Sequence, residues 1–298
     1  MTGMNMNERS KALEGIRLSA GNAGKLTVGT QSVHAEPCKR DKVSVVICGR
    51  VGYEAALGFM LGENLADAIM IEPELDPYAV MRTAISVNYG DRGVLLICGS
   101  SEEEKSVVMA AGGLLEESSF NNEVVYVEDC IAPGGTEQMN AGYFHCVKIA
   151  GAAAASGMTL KETYYTVRKA RNLVKSISVR VALTSGGRGR DDVGTLFGEG
   201  TMEKIAFQLR QASRARTGDT VCTYISGAGG VSLSELGRVN YQLYRSLTER
   251  GIAVHDALIN PVPVGAANAD IAISMMLLPD ELKKYYDMPC SALYCNKT

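Results

Sequence analysis

Residues 42–54, KVSVVICGRVGYE, contain the pattern that decides the fold class. The run from Lys42 to Cys48 is short, apolar and rich in β-branched residues, which is typical of a buried strand. Glycines at positions 49 and 52 follow it, and residues 55–60 then have the composition of a helix. Strand, glycine loop and helix in this order form the repeating unit of an α/β protein.

The alternation of strands and helices continues along the chain. Further strands are predicted at Gly93–Cys98, Val124–Val127, Ile177–Leu183, Ile205–Arg210, Val221–Ser226, Ile252–Val254 and Ile271–Leu277. Helices are predicted at 76–84, 102–112, 148–157, 160–174, 232–249 and 279–286, three of them begun by Asp76-Pro77, Thr159-x-x-Glu162 and Ser232-x-x-Glu235. Because helices separate the strands, we expect an α/β fold with mainly parallel or mixed sheets covered by helices.

Two shifts in composition predict the domain organisation. Residues 1–41 are polar and weakly patterned, which indicates a loosely ordered lead-in. The segment 184–200, TSGGRGRDDVGTLFGEG, is rich in glycine and charge and is typical of a long loop or a boundary. We therefore predict one domain over 42–184 and a second over 185–298.

Charge and cysteine usage exclude several classes of protein. The net charge is −3, which favours neither nucleic acid nor an anionic membrane as a partner. The sequence lacks an apolar run long enough for a signal peptide or a membrane span. Eight singly placed cysteines and three histidines have no metal-ligand spacing, which argues against a zinc site and predicts a reduced, cytoplasmic protein.

Two glycine loops are candidate binding sites, because ligands of α/β sheets bind at the carboxyl ends of strands. The first loop spans Cys48–Glu54 and the second, SGAGG, spans Ser226–Gly230. Neither matches a dinucleotide fingerprint or a Walker motif. The loops are open to two interpretations: they bind a nucleotide or sugar phosphate, or their glycines only permit a tight turn and close packing.

Other candidate groups also have a structural alternative. Glu102–Glu104 follows a predicted strand and supplies either a general base or charges that complement a helix dipole. His145 is expected in the core or at its boundary, and His255-Asp256 is either an acid–base pair or two side chains on opposite faces of a strand. Arg188 and Arg190 either clamp a phosphate or lie in a solvated loop.

Five segments together carry a resemblance to a known family. In order and separation they resemble the DhaK-type subunit of dihydroxyacetone kinases, and the similarity runs from about residue 42 to residue 294. The segments are GVLLI at Gly93–Ile97, KIAGAAA at Lys148–Ala154, Gly218-Asp219, SGAGGVSLSEL at Ser226–Leu236 and ERGIAV at Glu249–Val254.

The resemblance implies two DhaK-like α/β domains and a role in glycerol metabolism, usually as a homodimer. In the family, dihydroxyacetone is held covalently as a hemiaminal on a histidine. The phosphate comes from a separate helical subunit or domain that binds ADP or ATP, with magnesium. We therefore expect no cofactor in this chain. A DhaL-like nucleotide-binding subunit, or an active DhaK paralogue in a homo- or heterodimer, is the expected partner.

The first departure from the family lies in the glycine loop, which in the family reads G-G-G-S-G-H-E-P. Here Gly49, Gly52 and Glu54 remain, but Tyr53 stands where the family has a histidine that contacts the substrate. The loop therefore keeps its glycines and loses a polar contact to the ketone.

The second departure concerns the covalent histidine, which in the family follows a strand reading M-E-I-G-I-G-I-H. Here Met202-Glu203 leads into an alternating segment, and Arg210 falls at the histidine (Leu209 if the register slips by one). Neither side chain forms the hemiaminal, because a guanidinium stays protonated and is a poor nucleophile. The aspartate base of the family maps onto the segment SSEEE, where Glu103 or Glu104 is the nearest carboxylate.

Two functions follow from these departures. The first is a non-catalytic DhaK-like subunit, a pseudoenzyme that binds a ketose or an anionic ligand through Gly49, Gly52, Tyr53, Glu54 and Arg210 and regulates a kinase partner. The alternative is an active kinase subunit that holds its substrate noncovalently. In that case Glu103 or Glu104 is the base and Arg210 the clamp.

Overall fold

The computed structural model describes residues 6–19, 26–29, 31–36, 41–49, 58–71, 76–131, 141–179, 199–227, 231–261 and 271–297. The chain divides into two compact units, each built from several segments. The first comprises residues 1–127, 146–168 and 285–298, and the second comprises residues 128–145 and 169–284. The sequence instead predicted consecutive domains that meet at residues 184 and 185, a position outside the described residues.

The first unit contains a mixed six-stranded sheet in the order β1-β2-β5-β3-β6-β7. Strands β5, β3, β6 and β7 are mutually parallel, and β2 joins them antiparallel to β5. The strands are β1 Leu26–Val28, β2 Ser32–Ala35, β3 Ser44–Ile47, β5 Ala68–Met70, β6 Val94–Cys98 and β7 Asn122–Tyr126. A smaller sheet of β4 Gly62–Glu63, β12 Cys290–Ala292 and β13 Asn296–Lys297 belongs to the same unit.

Helices pack on the large sheet because each has one apolar face. Val80 and Ala84 of one helix and Val108 and Leu115 of the next are fully buried in the same cluster as Val46. Each fully buried aliphatic side chain of this kind stabilises the fold by roughly 1.5–3 kcal/mol. The helices described for this part of the chain are α1 Met6–Ser19, α2 Pro77–Val87 and α3 Glu102–Glu117, and the division into units falls within α4 Tyr143–Ala155 and α5 Leu160–Leu173.

The direction of the crossovers defines a switch point in the large sheet. From β3 the chain moves to β5 on one side, whereas from β6 it moves to β7 on the other. The two crossovers therefore diverge between the neighbouring strands β3 and β6. In open α/β sheets the crevice outside the carboxyl ends of such a strand pair is where ligands bind.

The second unit contains a four-stranded sheet in the order β10-β9-β11-β8. Strands β9 and β10 are parallel and are linked by a helix, whereas β11 is antiparallel to both of its neighbours. The elements are β8 Val174–Val179, α6 Glu199–Ser213, β9 Thr220–Gly227, α7 Leu233–Thr248, β10 Ala253–Asn260, β11 Ile271–Leu277 and α8 Asp280–Tyr286.

The predicted helix starts are confirmed. The Asp76 carboxylate accepts hydrogen bonds from the backbone of residues 78 and 79, with a proline in the first turn. Ser232 and Glu235 form a reciprocal capping box. Thr159 and Glu162 form the same arrangement, since each accepts a hydrogen bond from the backbone N–H of the other.

Two predictions of local structure are wrong. Residues 205–210 lie in helix α6 rather than in a strand. Met202, Ile205, Ala206 and Leu209 are buried at helical spacing, whereas Phe207, which belonged to the apparent strand alternation, is 48% exposed. The residues 1–41, expected to be loosely ordered, contain α1 and the antiparallel pair β1–β2. Within the described part of the chain, no helix is long and apolar enough to cross a bilayer.

Candidate functional site

The switch point is formed by the matched ends of β3 and β6. Ile47 lies opposite Ile97 in the parallel register, and the Cys48 N–H donates to the Ile97 carbonyl oxygen at 2.8 Å. Each strand is followed by a buried glycine, Gly49 after β3 and Gly99 after β6. The two glycine turns therefore leave neighbouring strands at the same edge of the sheet.

Gly99 is needed because a carboxylate lies against it. A Cβ atom at Gly99 would stand 2.3 Å from Glu104 Oε2. Ser101 caps α3 by accepting a hydrogen bond from the Glu104 N–H at 3.2 Å, and its hydroxyl donates to Glu104 Oε2 at 2.7 Å. The loop thus folds the carboxylate back over the end of β6.

The two glutamates that the sequence offered as alternatives for the base differ in their exposure to solvent. Glu104 is 4% exposed, whereas Glu103 is exposed to solvent. A carboxylate that is buried and hydrogen-bonded at the end of a parallel strand is positioned to accept a proton or a hydroxyl group. Of the two, the structure brings Glu104 to the switch point.

Two buried cysteines, Cys48 and Cys98, lie at the carboxyl ends of β3 and β6. Burial raises the pKa of the Cys48 thiol and of the Cys98 thiol, and the charges of Cys48 and Glu104 raise the pKa of Cys98 further. Neither cysteine is therefore a nucleophile at neutral pH, because the thiolate is the reactive form. Both cysteines pack in the core of the sheet.

The other predicted ligand contacts are placed differently. Gly52, Tyr53 and Glu54, together with Arg188 and Arg190, lie outside the described residues. Arg210 lies in the last turn of α6, with its guanidinium carbon 5.7 Å from the centroid of the Phe207 ring. Because this segment is a helix, the strand alternation that matched Arg210 to the family histidine does not exist.

The second unit has a glycine loop of its own after β9. Gly227 ends this strand, and a Cβ on it would meet the Leu236 side chain at 3.2 Å. Close packing of strand and helix thus accounts for this glycine, while residues 228–230 lie outside the described part. At the end of β10 the Asn260 amide donates to the Tyr224 hydroxyl at 2.7 Å, and the Tyr224 ring stacks on Phe144 with centroids 4.7 Å apart.

All three histidines of the chain lie in described segments. His34 is half-buried in β2, where its Nε2 is 2.8 Å from Ser32 Oγ. His145 is fully buried in α4, edge-on to the Tyr224 ring, which agrees with the expected core position. His255 is exposed at a bulge in the first half of β10, with Nδ1 3.1 Å from Lys283 Nζ.

Sequence reasoning missed the buried carboxylate of Asp129. It is 1% exposed, and its Oδ2 accepts a hydrogen bond from the Gly142 N–H at 2.8 Å. Burial raises its pKa, while the hydrogen bond from the Gly142 N–H acts in the opposite direction. Its position shortly after the predicted strand Val124–Val127 was the available signal. Among the described residues, no cluster of histidine, cysteine or carboxylate side chains could hold a metal ion.

Comparison with known proteins identifies a family to which this chain is similar. The model of the Dak1 domain matches residues 14–192. The dihydroxyacetone-binding subunit DhaK of a PTS-dependent dihydroxyacetone kinase 2 from Listeria innocua is 22% identical over 95% of this chain and 93% of its own length.

Solved structures share the fold at lower identity. The native dihydroxyacetone kinase of C. freundii has a TM-score of 0.79 and 18% identity over 99% of this chain, which spans 60% of that kinase. A dihydroxyacetone kinase operon co-activator, DhaQ, has a TM-score of 0.76 and 18% identity over 97% of this chain and 98% of its own.

The fold and its switch point define the class as an α/β protein with a six-stranded and a four-stranded main sheet and two glycine turns at one sheet edge. Within that class, the chain belongs to the Dak1 domain family.

Proposed function

We propose that this chain is a DhaK-type ligand-binding subunit that holds dihydroxyacetone, or a similar short ketose, without a covalent bond and regulates a kinase partner. The placement of the three histidines carries this proposal. A hemiaminal needs a neutral imidazole nitrogen that a ketone can reach. His145 is fully buried, and neither His34 nor His255 lies at the carboxyl end of a parallel strand.

The switch point offers polar groups suited to a small hydroxylated ligand. The turns at Gly49 and Gly99 lie side by side, and α3 begins immediately after the second turn. N–H groups in the first turn of a helix point toward its N-terminal end, where they attract a carbonyl oxygen. The Glu104 carboxylate accepts hydrogen bonds from hydroxyl groups. Tyr53 and Glu54 are proposed as further contacts from the first loop.

The relatives support a binding role in two ways. The Listeria innocua relative is a dihydroxyacetone-binding subunit, and the co-activator that shares the fold acts on a dihydroxyacetone kinase operon. We propose that this chain likewise acts through protein partners. A DhaL-like nucleotide-binding subunit or an active DhaK paralogue is the proposed partner, and ADP or ATP with magnesium would then be bound by the partner.

Calorimetric titration of the purified chain with dihydroxyacetone tests the binding proposal, with glycerol as the control ligand. We expect saturable heat with dihydroxyacetone and an unchanged intact mass in denaturing mass spectrometry. Glu104→Gln should weaken binding at least about tenfold, because a hydrogen bond to a charged group contributes about 1.5–3 kcal/mol. Glu103→Gln, on the exposed neighbour, should bind as the wild type does. Absence of binding, or a covalent adduct, would reject the proposal.

A second candidate function is catalysis with noncovalent substrate binding. The buried Glu104 carboxylate, held by Ser101 at the end of β6, favours it. In that case Glu104 accepts the proton of the ketose hydroxyl as it attacks the donor phosphate. Turnover of dihydroxyacetone with a nucleotide-binding subunit and ATP should disappear in Glu104→Gln and persist in Glu103→Gln. Phosphorylation that persists in both variants contradicts this role of Glu104.

A further inference from the structure

The hairpin of β12 and β13 brings two cysteines onto one face. Cys290 lies opposite Lys297 in the antiparallel register, and the Ala292 N–H donates to the Cys295 carbonyl oxygen at 2.7 Å. Residues directly opposite each other share a face, as do alternate residues of one strand. Cys290 and Cys295 are therefore diagonal neighbours on this face, and they are 4% and 3% exposed.

A buried lysine completes the cluster. Lys148 is fully buried, and its ammonium group donates to the carbonyl oxygen of Met288, two residues before Cys290. A buried ammonium needs a counter-charge, because transfer out of water is costly. Within the described segments, no carboxylate forms an ion pair with Lys148. The charge of Lys148 favours a thiolate at Cys290, which would balance the ammonium group.

Three groups act on the Cys290 thiol, namely the Cys295 thiol, the Lys148 ammonium and the Lys297 backbone N–H. The hydrogen bond from Cys295 lowers the pKa of the Cys290 thiol against the effect of burial, and the charge of Lys148 lowers it further. The same hydrogen bond and burial raise the pKa of Cys295. These neighbours favour the thiolate at Cys290 and the thiol at Cys295.

We propose that Cys290 and Cys295 form a redox modification site, in which Cys290 reacts with a peroxide and Cys295 resolves the product into a disulfide. The Cys290 thiolate attacks one peroxide oxygen, the O–O bond breaks, and hydroxide leaves, which gives a sulfenic acid. Oxidation of Cys290 removes the thiolate whose hydrogen bond raises the pKa of Cys295. The Cys295 sulfur then attacks the Cys290 sulfur, and the S–OH oxygen departs as water with the Cys295 proton. The two sulfurs lose two electrons, and the peroxide is reduced to water; a dithiol reductant reverses the change.

A second cysteine pair in the same unit provides an internal control. Cys48 and Cys98 lie close enough for the charge of one to act on the other, and both are fully buried. Burial raises the pKa of both thiols. A pair of buried, neighbouring thiols without a thiolate should stay reduced under conditions that oxidise Cys290.

Oxidation also changes the environment of Lys148. A disulfide is neutral, so the buried ammonium group loses its counter-charge when the bond forms. We expect the hairpin to pack less firmly in the oxidised state, with faster amide hydrogen exchange in residues 290–297. This inference concerns a site separate from the switch point and does not depend on the proposed function.

The test uses the full chain treated with hydrogen peroxide, followed by differential alkylation and peptide mass mapping. We expect one internal disulfide between Cys290 and Cys295, reversal by dithiothreitol, and reduced Cys48 and Cys98 in the same sample. The proposal is overturned if Cys290 and Cys295 stay reduced, or if all buried cysteines oxidise at the same rate.

Two variants separate the roles within the cluster, and circular dichroism verifies that each is folded. In Cys295→Ala the reaction should stop at the sulfenic acid, trapped on Cys290 by dimedone. Lys148→Met should slow alkylation of Cys290 about tenfold at neutral pH, since one pKa unit changes the thiolate fraction about tenfold. Cys48→Ala should leave both readouts unchanged. An unaltered alkylation rate in Lys148→Met would show that the lysine does not activate the thiol.

Discussion

Gly151 of α4 lies against the backbone of Asn64, so closely that a Cβ atom on the glycine would stand 2.4 Å from the Asn64 carbonyl carbon and oxygen. The backbone of Leu65 would be almost as near, at 2.5 Å. Because these neighbours are main-chain atoms, they cannot move aside as a flexible side chain can. The glycine in the segment KIAGAAA is therefore required by close packing.

Gly151→Ala should destabilise the protein by about 1–3 kcal/mol or more, the usual effect of forcing extra volume into a packed site. Gly113→Ala in α3 is the matched control, because a Cβ there meets nothing within 4 Å. That variant should gain up to about 1 kcal/mol from helix propensity. Urea unfolding measures both changes. Equal stability of the two variants would refute the packing argument.

Gly99→Ala should displace the Glu104 carboxylate, because its Oε2 lies 2.3 Å from the position of the new Cβ. The atom in conflict is the end of a flexible side chain, so the fold should persist. If Glu104 contacts the ligand, calorimetry should show affinity for dihydroxyacetone reduced at least about tenfold. Unchanged affinity in a folded Gly99→Ala protein would remove Glu104 from the proposed ligand site.

Ser232→Ala should remove one half of the capping box at the start of α7 and cost about 1 kcal/mol of unfolding free energy. Ser234→Ala, at an exposed position in the first turn of the same helix, is the comparison. We expect its effect to be within about 0.5 kcal/mol of zero. A Ser232→Ala loss no larger than that of the comparison would show that the cap contributes nothing measurable.

Stability should depend on pH through His34. Burial lowers the pKa of its imidazole, while the charge of Glu36 opposes the effect. The folded protein therefore binds fewer protons than the unfolded chain in mild acid. Stability from the neutral imidazole is present above the unfolded pKa of about 6.5 and is lost as the pH falls toward the folded pKa.

His34→Gln should accordingly flatten the decline of unfolding free energy on the acid side of about pH 6.5. Parallel denaturant titrations of variant and wild type at several pH values measure the difference. A difference between the two proteins that does not vary with pH would contradict the role assigned to His34.

The elements predicted correctly are those with a local physical signal. The Asp76 cap, the capping boxes at Thr159 and Ser232, and the buried strand Ile271–Leu277 are each encoded by neighbouring residues. A capping side chain or a continuous apolar run determines the backbone nearby, whatever the rest of the chain does. These features therefore required no knowledge of tertiary structure.

The apolar residues of helix α6, which was misassigned as a strand, fit both a strand periodicity and a helix periodicity. Ile205, Phe207 and Leu209 alternate like a strand, but Met202, Ile205, Ala206 and Leu209 also form a helical stripe. Over six residues the two patterns share members, so periodicity alone does not decide between them. The four buried positions identify the stripe as the correct pattern.

The sequence indicated that the glycine loop after Cys48 and the acids after Cys98 both follow strands. The structure shows that these two strands are neighbours in one sheet. The choice between Glu103 and Glu104 depends on which side of α3 faces the sheet, and a run of three acids carries no sign of it. The pairing of Lys148 with Cys290 joins distant segments, and local sequence patterns do not report such contacts.

The segmented composition of the first unit has a consequence for synthesis on the ribosome. Asn64 donates to the Pro289 carbonyl oxygen across 225 residues of chain, and Glu63 of β4 pairs with Ser291 of β12. The segments of the second unit, 128–145 and 169–284, emerge before residues 285–298 do. The first unit is thus completed only after the second, and the β4 edge of the nascent chain has no β12 partner until residues 290–292 have been synthesised.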